Sequence, residues 1–289
     1  MREKPDRIAA EYALNEVGGF TMTMGASSFY PVQVAEKGIC WLRIRALGEP
    51  GHGSLPNREN PLIKIGRAAE RLGTRRLPFH KTPVVERFIH ELAEQLPGVR
   101  GRVLKLLLRP GMSDFVLDRL FPDPSLAASF EAALHNTANP TIVRGGRKIN
   151  VVPPHADLEV DGRILPGQTP EAFVEEVRAL LGAGYQIEIE QAWPATVSDI
   201  EDPILETFRR VIERHSGGKG IMLPYMIPGF TDSAHYSRLG IKCFGFSPVR
   251  LGPEDRFAKL YHGHDERIPV EGFWWGLRVL IETVVALTE

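Results

Sequence analysis

Two histidines and two acidic residues lie within five positions near the end of the chain, in the stretch YHGHDERIPV at residues 261–270. Zinc binds imidazole and carboxylate side chains readily, and a catalytic zinc site keeps one position open for water. The pattern therefore makes His262 a candidate metal ligand. The alternative is a solvated loop before a helix that begins at Pro269, with Asp265 and Glu266 favoured by the positive end of that helix.

A glutamate at the end of a predicted strand is the second candidate. The stretch YALNEVGG at residues 12–19 runs from a strand into a glycine loop, and Glu16 lies where the chain turns away. Enzymes with an α/β fold commonly bind ligands at the carboxyl ends of strands, which favours a functional role for Glu16. Asparagine and glycine are also common in β-turns, which is the alternative explanation.

A histidine in a glycine- and proline-rich loop is the third candidate. His52 lies in GEPGHGSLP at residues 48–56. The glycines and prolines of this stretch predict a stiff, exposed loop that carries the His52 side chain. Without support from other residues, it would be an ordinary surface histidine.

Several common enzyme classes are disfavoured by the absence of their motifs. The sequence has no G-x-x-x-x-G-K-[ST], no G-x-G-x-x-G after a strand, no G-x-S-x-G and no H-E-x-x-H. These motifs are typical of phosphate-loop NTPases, dinucleotide enzymes, serine hydrolases of the elbow type and one class of zinc protease.

The composition argues against nucleic acid and membrane partners. Thirty-five basic and 36 acidic side chains give a formal net charge of −1, so there is no basic excess for nucleic acid or an anionic membrane. Cys40 and Cys243 lie in apolar runs, which predicts buried thiols in a reducing compartment. The N-terminus lacks the apolar core of a secretory signal, and no apolar run is long enough to span a bilayer. We expect a soluble, cytoplasmic protein.

The elements that must position these residues are readable in the middle of the chain. The stretch GICWLRIRALG at residues 38–48 alternates apolar and polar residues, which predicts a strand in a sheet covered on one side. Helices are predicted from Pro61, capped by Asn60, and from Pro170, capped by Thr169. Their apolar faces are Ile65, Ala69 and Leu72 in the first helix, and Phe173, Val174, Val177, Leu180 and Leu181 in the second.

The order of these elements predicts an α/β protein with one domain inserted into another. Residues 38–194 follow the order β-α-(helical insert)-β-β-α-β, with the insert at 75–139, which is typical of a ferredoxin-like α+β fold. Residues 1–37 and 195–289 form the surrounding domain. We predict in it one strand and a glycine-rich loop before the insertion, and a helix from Asp202, a short strand KCFGF and a long terminal helix after it.

Six stretches in the same order resemble the di-zinc aminoacylase and carboxypeptidase family, which includes acetylornithine deacetylase, succinyl-diaminopimelate desuccinylase, carboxypeptidase G and carboxypeptidase S. They are ALNEVGG, EKGICWLRIRALGEPGHGSLP, GGRKINVVP, DGRILPGQTPE, GFTDSAHY and YHGHDERIPV. The resemblance covers nearly the whole chain and implies a partial catalytic α/β domain with an inserted lid and dimerisation domain.

The resemblance implies roles for particular residues. Glu16 and His262 resemble ligands of two zinc ions, sites that also accept cobalt or manganese. His52 resembles the histidine that crosses the interface of a homodimer into the partner's active site, where it stabilises the oxyanion.

Asn150 and Arg163 resemble lid groups that bind a substrate carboxylate. Gly229 and Thr231 lie in the loop GFTDS, which resembles the loop lining the substrate cleft. Alternatively, Arg163 pairs with Asp161 or Asp157, and Asn150 caps a turn.

The ligand set of that family is incomplete in this sequence. Its members carry a histidine, an aspartate two residues later, a bridging aspartate and a Glu-Glu pair ahead of the residue equivalent to Glu16. Only fifteen residues precede Glu16 here, and they contain no histidine and no Glu-Glu pair. Water activation then lacks its base, so we expect a truncated or split chain with poor solubility or a dependence on a partner chain.

Three hypotheses follow. The first is a metal-dependent hydrolase of amide or peptide bonds in N-acyl amino acids or small peptides with a free carboxylate. The second is a non-catalytic dimerising or small-molecule-binding protein derived from that family. The third is an enzyme that uses His262 and His264 as a metal pair, although no nearby residue completes that set.

Overall fold

The chain divides into two compact units. The structure, a computed structural model, describes residues 7–24, 27–121, 123–252, 255 and 264–289. The first unit comprises Met1–Glu36, Pro83–Pro124 and Thr196–Glu289, and the second comprises Lys37–Thr82 and Ser125–Ala195.

The strands in chain order are β1 (Tyr12–Asn15), β2 (Met22–Met24), β3 (Ser27–Glu36), β4 (Gly38–Leu47), β5 (Gly51–His52), β6 (Thr137–Gly145), β7 (Val151–Val152), β8 (His155–Ile164), β9 (Tyr185–Trp193), β10 (Thr196–Val197), β11 (Gly220–Ile227) and β12 (Lys242–Gly245). The helices are α1 (Pro61–Thr74), α2 (Pro83–Glu94), α3 (Val99–Leu106), α4 (Pro110–Arg119), α5 (Pro124–Leu134), α6 (Pro170–Leu181), α7 (Ile204–His215), α8 (Ser233–Tyr236) and α9 (Val270–Thr288), with a 3-10 turn at Ser237–Leu239.

The second unit has the predicted ferredoxin-like arrangement. Its four-stranded antiparallel sheet has the order β6-β8-β4-β9. Helices α1 and α6 pack on one face of this sheet, and the core between them contains Leu42, Ile44 and Phe173, all with no exposed surface. On the opposite face of β4, Trp41 is 41% exposed. The predicted alternation of β4 is therefore confirmed.

Both helices of the second unit start where their capping residues predict. The Asn60 Oδ1 atom accepts a hydrogen bond from the Leu62 backbone N–H at 3.0 Å, and the Thr169 Oγ1 atom accepts one from Ala172 N–H at 3.2 Å. A proline follows each cap at the first helical position. These contacts satisfy N–H groups that an uncapped first turn leaves without partners.

The first unit contains a six-stranded mixed sheet whose centre the sequence patterns did not predict. The strand β3 pairs in parallel with β11, β1 pairs in parallel with β12, and β2, β10 and β12 pair antiparallel with β3. The predicted strands at YALN and KCFG and the predicted helices α7 and α9 are present, but the prediction missed the strands β2, β3, β10 and β11. Both missed long strands contain a proline, Pro31 and Pro224, and β3 is buried on both faces, so neither alternates.

The helical insert is divided between the two units. The sequence assigns residues 75–139 to the lid, but α2, α3 and α4 belong to the first unit. The physical reason is the apolar face of α2, which packs on β11 with the Phe88 and Tyr225 rings 5.5 Å apart. Only the flanks of the insert, including most of α5, belong to the second unit.

Cys40 and Cys243 are free and buried, and burial raises the pKa of each thiol to about 11. Among the described residues, the helices are too short or too polar to cross a membrane.

Candidate functional site

Glu16 lies on an unusually constrained turn in the first unit. It is exposed and follows β1 directly, and the next residue, Val17, has a positive φ of 65°. A β-branched residue rarely adopts this conformation, which costs about 1–3 kcal/mol. Gly18 follows at φ 136°, and a Cβ atom there would lie 2.0 Å from the backbone oxygen of Gly245. The turn that carries Glu16 is therefore held tightly against β12.

The loop GFTDS at residues 229–233 is anchored by a residue that sequence reasoning missed. The buried Glu36 accepts hydrogen bonds through Oε2 from the Thr231 N–H at 2.9 Å and from the Thr231 hydroxyl at 2.6 Å. Gly229 is half-buried, and a Cβ atom there would meet only Ile227 Cδ1, at 3.7 Å. The fold itself therefore does not require glycine at position 229, whereas Thr231 is fixed in place.

The same loop contacts the end of β1. The Asn15 side chain donates a hydrogen bond from Nδ2 to the Ser233 hydroxyl at 2.8 Å. Ser233 in turn lies 3.0 Å from the Thr231 hydroxyl. The first unit therefore links the segment that carries Glu16 to the predicted substrate loop, although the two segments are more than 200 residues apart in the chain.

His52 and Asn150 lie next to each other in the second unit. The strand β5, which contains His52, pairs with β7, and the Gly53 N–H donates to the Asn150 backbone oxygen at 2.8 Å. Both side chains are exposed. The structure therefore places two of the lid residues implied by the resemblance at one short two-stranded sheet.

The hydrogen bonds of His52 define its tautomer. The Ser54 backbone N–H donates to the His52 Nδ1 atom at 3.3 Å, and the Ser54 hydroxyl lies 2.7 Å from the same atom. Because Nδ1 accepts a hydrogen bond, the neutral ring carries its proton on Nε2. His52 is therefore arranged to donate a hydrogen bond from Nε2 to an acceptor such as a carbonyl oxygen.

Arg163 forms a planar pair with Asp161. Its Nε and Nη2 atoms donate to the two oxygens of Asp161 at 2.8 and 3.1 Å, and Trp41 Nε1 also donates to Asp161 at 3.0 Å. This is one of the alternatives left open by the sequence. Two of the guanidinium donors expected for a substrate carboxylate are already used.

The described residues do not form a zinc site. Among them, no group of three histidine, cysteine, aspartate or glutamate side chains is close enough to hold a metal ion. His262 lies outside the described residues, whereas His264 is described and exposed. Zinc sites use three or four protein ligands, so the described residues alone do not fit the metal centre implied by the resemblance.

Two residues adjacent in the chain, Glu36 of the first unit and Lys37 of the second, both have buried side chains. Burial raises the pKa of Glu36, while the hydrogen bonds from Thr231 oppose that shift. Burial lowers the pKa of Lys37 to about 7; Arg163 adds to this shift and Asp161 opposes it. Lys37 Nζ donates to the oxygens of Ala132, His135 and Thr137 at 3.1, 2.9 and 3.3 Å. In the sequence, the only signal for the burial of Glu36 and Lys37 is that an acidic and a basic residue stand next to each other inside an apolar run.

Comparison with known proteins gives a family match for the middle of the chain. A family model described as a peptidase dimerisation domain, M20_dimer, matches residues 34–188, which is just over half of the chain. The match extends from the end of β3 into β9 and includes the predicted helical insert.

The curated relatives extend the similarity beyond that domain. Human N-fatty-acyl-amino acid synthase/hydrolase PM20D1 is 27% identical over 258 residues, which cover 88% of this chain and 50% of the relative. Human aminoacylase-1 is 24% identical over 288 residues, which cover 98% of this chain and 57% of the relative. The chain spans about half the length of the curated relatives it matches.

Solved structures show the same fold. The M20 family metallo-carboxypeptidase Sso-CP2 from Sulfolobus solfataricus matches with a TM-score of 0.62 and 14% identity, covering 98% of this chain and 64% of that chain. The dipeptidase Dug1p from Saccharomyces cerevisiae matches with a TM-score of 0.54 and 12% identity, covering 95% and 57%. At these identities the likeness concerns the fold.

Proposed function

Because the chain belongs to the M20 peptidase family, whose dimerisation domain it contains, we propose that it takes part in metal-dependent hydrolysis of amide or peptide bonds. The substrates we propose are N-acyl amino acids or small peptides with a free carboxylate. The relatives named for acting on N-fatty-acyl-amino acids, and the aminoacylase, support this class.

The observation that carries the proposal is the geometry of His52. Its Nδ1 atom accepts a hydrogen bond from Ser54, so the neutral ring has a proton on Nε2 to donate. A donor aimed at the scissile carbonyl stabilises the negative charge that develops on its oxygen, because the donor is already oriented before the reaction. The exposure of His52 at the edge of the second unit leaves its ring accessible to a substrate or to a second copy of the chain.

Asn150 is the better placed of the two residues proposed to bind the substrate carboxylate. Its backbone is tied to Gly53, beside His52, and its side chain is exposed. The Nε and Nη2 atoms of Arg163 already donate to Asp161. To bind a substrate carboxylate, Arg163 would have to break this ion pair or use its remaining N–H donors. We therefore propose Asn150 as the main contact and Arg163 as a supporting positive charge.

The proposed assembly is a homodimer formed through the lid, with zinc as the metal. The dimerisation domain supports the first point. Glu16 and His262 remain the proposed ligands, and further ligands must come from outside the described residues.

The test measures hydrolysis of a set of N-acyl amino acids and dipeptides by the purified, zinc-loaded chain, with the metal content determined by mass spectrometry. We expect His52→Ala to lower kcat/KM by about 100-fold. The control, His155→Ala, removes an exposed histidine of the same unit and should have no effect. A chain that neither hydrolyses nor binds any of these substrates would contradict the proposal.

The second hypothesis is a non-catalytic dimerising or small-molecule-binding protein, which the match to a dimerisation domain would equally support. The same experiment separates the two hypotheses. Binding of an N-acyl amino acid by calorimetry, without turnover and without retained zinc, would favour the second.

A further inference from the structure

A buried carboxylate at the end of β3 is the acceptor of a hydrogen-bond network in the first unit. Glu36 has no exposed surface, and its Oε2 atom accepts from the Thr231 N–H and hydroxyl and from Gln33 Nε2, the last at 3.2 Å. A buried carboxylate is costly unless hydrogen bonds compensate for its lost hydration. The Gly229–Ser233 loop provides two of these bonds, so the carboxylate and the loop hold each other in place.

The hydroxyl groups give this network a direction. Thr231 has one hydroxyl proton, and it is donated to Glu36 at 2.6 Å, because a carboxylate oxygen can only accept. Because that proton is engaged, we assign Ser233 as the donor across the 3.0 Å contact between the two hydroxyls, and the Ser233 oxygen accepts from Asn15 Nδ2. All three donors, from Asn15 to Ser233 to Thr231, thus point toward Glu36. Donors aligned in one direction polarise and strengthen each other.

We propose that Glu36 is a positioning residue for the candidate site. Through Thr231 it fixes the predicted substrate loop, and through Ser233 and Asn15 it fixes the strand end that carries Glu16. One buried carboxylate therefore sets the placement of both candidate site segments of the first unit. This inference rests on the proposed function for the role of those segments, but the hydrogen-bond chain is testable without any activity.

Amide hydrogen exchange of the full chain, followed by NMR, tests the network directly. In Glu36→Ala we expect exchange of the Thr231 amide to increase about 10-fold or more, because a hydrogen bond to a charged group is lost. Glu36→Gln keeps one acceptor oxygen and should restore most of the protection. Thr231→Val should shift the side-chain amide signals of Asn15, since the chain to Ser233 is broken.

The matched control is Thr283→Val, which removes another buried hydroxyl of the first unit. The Thr283 hydroxyl donates to the Val279 backbone oxygen at 2.8 Å within α9. We expect no change at Thr231 or Asn15 in this variant. Equal increases in exchange throughout the first unit in the Glu36 and Thr231 variants would show a general structural role and overturn the proposal. If Glu36→Ala does not fold, the exchange rates measured in Glu36→Gln and Thr231→Val decide whether the network exists.

Kinetics separate this inference from the proposed function. If the chain hydrolyses N-acyl amino acids, Thr231→Val should raise KM more than it lowers kcat, and Glu36→Gln should stay close to the unmodified protein. A loss in kcat with an unchanged KM in Thr231→Val would contradict a role in placing the substrate loop. If no substrate is turned over, the proposed function fails, while the exchange measurements still decide whether the network exists.

Discussion

The two units differ in where their exposed apolar side chains lie. The second unit buries the apolar face of its sheet under α1 and α6, with Leu42, Ile44 and Phe173 fully buried. In the first unit, α9 buries one side through Trp275 and Val279, but on another side Trp274 and Ile281 are 50% and 55% exposed. A helix that is apolar on more than one side is typical of a fully buried position. In the second unit the exposed apolar side chains, such as Trp41, Val143 and Ile149, belong to different strands and loops, whereas those of the first unit include a set on the single helix α9, which presents a surface suited to a further polypeptide.

The largest effect expected in the second unit tests how tightly its sheet packs against α6. A Cβ atom at Gly162 would lie 2.1 Å from the Cys40 backbone oxygen and 2.5 Å from the Phe173 ring. We expect Gly162→Ala to lower the free energy of unfolding of the second unit by about 3 kcal/mol, because backbone cannot move aside easily. Urea unfolding, with hydrogen exchange assigning each transition to a unit, measures this.

The control for Gly162→Ala lies on α1 of the same unit. Gly66 has open space around its Cα, so Gly66→Ala should stabilise the helix by up to about 1 kcal/mol. A transition of the first unit that shifts as much as that of the second in Gly162→Ala would break the comparison between them.

Lys37 gives the second unit an expected rise in stability with pH. Its pKa is lowered to about 7 in the folded protein from an ordinary 10.5. Between these values the unfolded chain binds the proton and the folded chain does not, so the free energy of unfolding increases as pH rises, by at most about 1.4 kcal/mol per pH unit. The hydrogen bonds from Lys37 to three oxygens should make the observed slope smaller.

Unfolding of the second unit at a series of pH values from about 7 to 10 checks this slope. In Lys37→Met the pH dependence should disappear, and the unit should also be less stable by about 1–3 kcal/mol near pH 7, since buried acceptors lose their donor. A slope that persists in Lys37→Met would assign the dependence to another group.

Glu36 should make the free energy of unfolding of the first unit decrease as pH rises, which is the opposite of the effect of Lys37 on the second unit. Its pKa is raised above 4.5 in the folded protein, so above 4.5 the folded state keeps a proton that the unfolded state has lost. The stability of the first unit should therefore fall as pH rises from 4.5 through the raised pKa. Unfolding of Glu36→Gln should lack this fall. An unchanged profile would mean that Glu36 does not titrate in this range.

The smallest expected effect concerns the exposed side of α9. Trp274→Ser should change the free energy of unfolding by less than about 0.5 kcal/mol, because the side chain is half exposed. Self-association, measured by sedimentation, should decrease as the apolar surface becomes smaller.

The contrasting variant for Trp274→Ser is the neighbouring Trp275→Ser. Trp275 is 4% exposed, donates to the His215 backbone oxygen at 3.0 Å and stacks on Tyr30. This substitution should destabilise the first unit by about 3–5 kcal/mol. Equal stability losses in the two variants would show that the outer side of α9 is covered after all.

The difference between the units also explains what could be predicted from the sequence. The second unit was predictable because its elements carry local signals, such as the caps Asn60 and Thr169 and the alternation of β4. In the first unit β1, β12, α7 and α9 were predicted, but the central strand β3 was not, since it is buried on both faces, contains Pro31, and pairs with a strand far along the chain.

The residues of the candidate site also differ in how far the sequence could identify them. The sequence named His52 and Asn150 separately as candidates, whereas their proximity comes from one short strand pair that was not predicted. The roles of all the site residues stay predictions. Glu36 had no detectable role in the sequence, because its partner Thr231 is 195 positions away and no local pattern encodes such a contact.

The pairing of β1 with β12 determines when each unit can form during synthesis. Tyr12 lies opposite Lys242 and Asn15 opposite Gly245, so contacts between these strands join residues 230 positions apart. The last residue of the second unit, Ala195, is synthesised before β12. All residues of the second unit are therefore synthesised before the partner strand of β1, so the second unit can fold first. The strand β1 stays unpaired with β12 until the chain has been synthesised beyond residue 245.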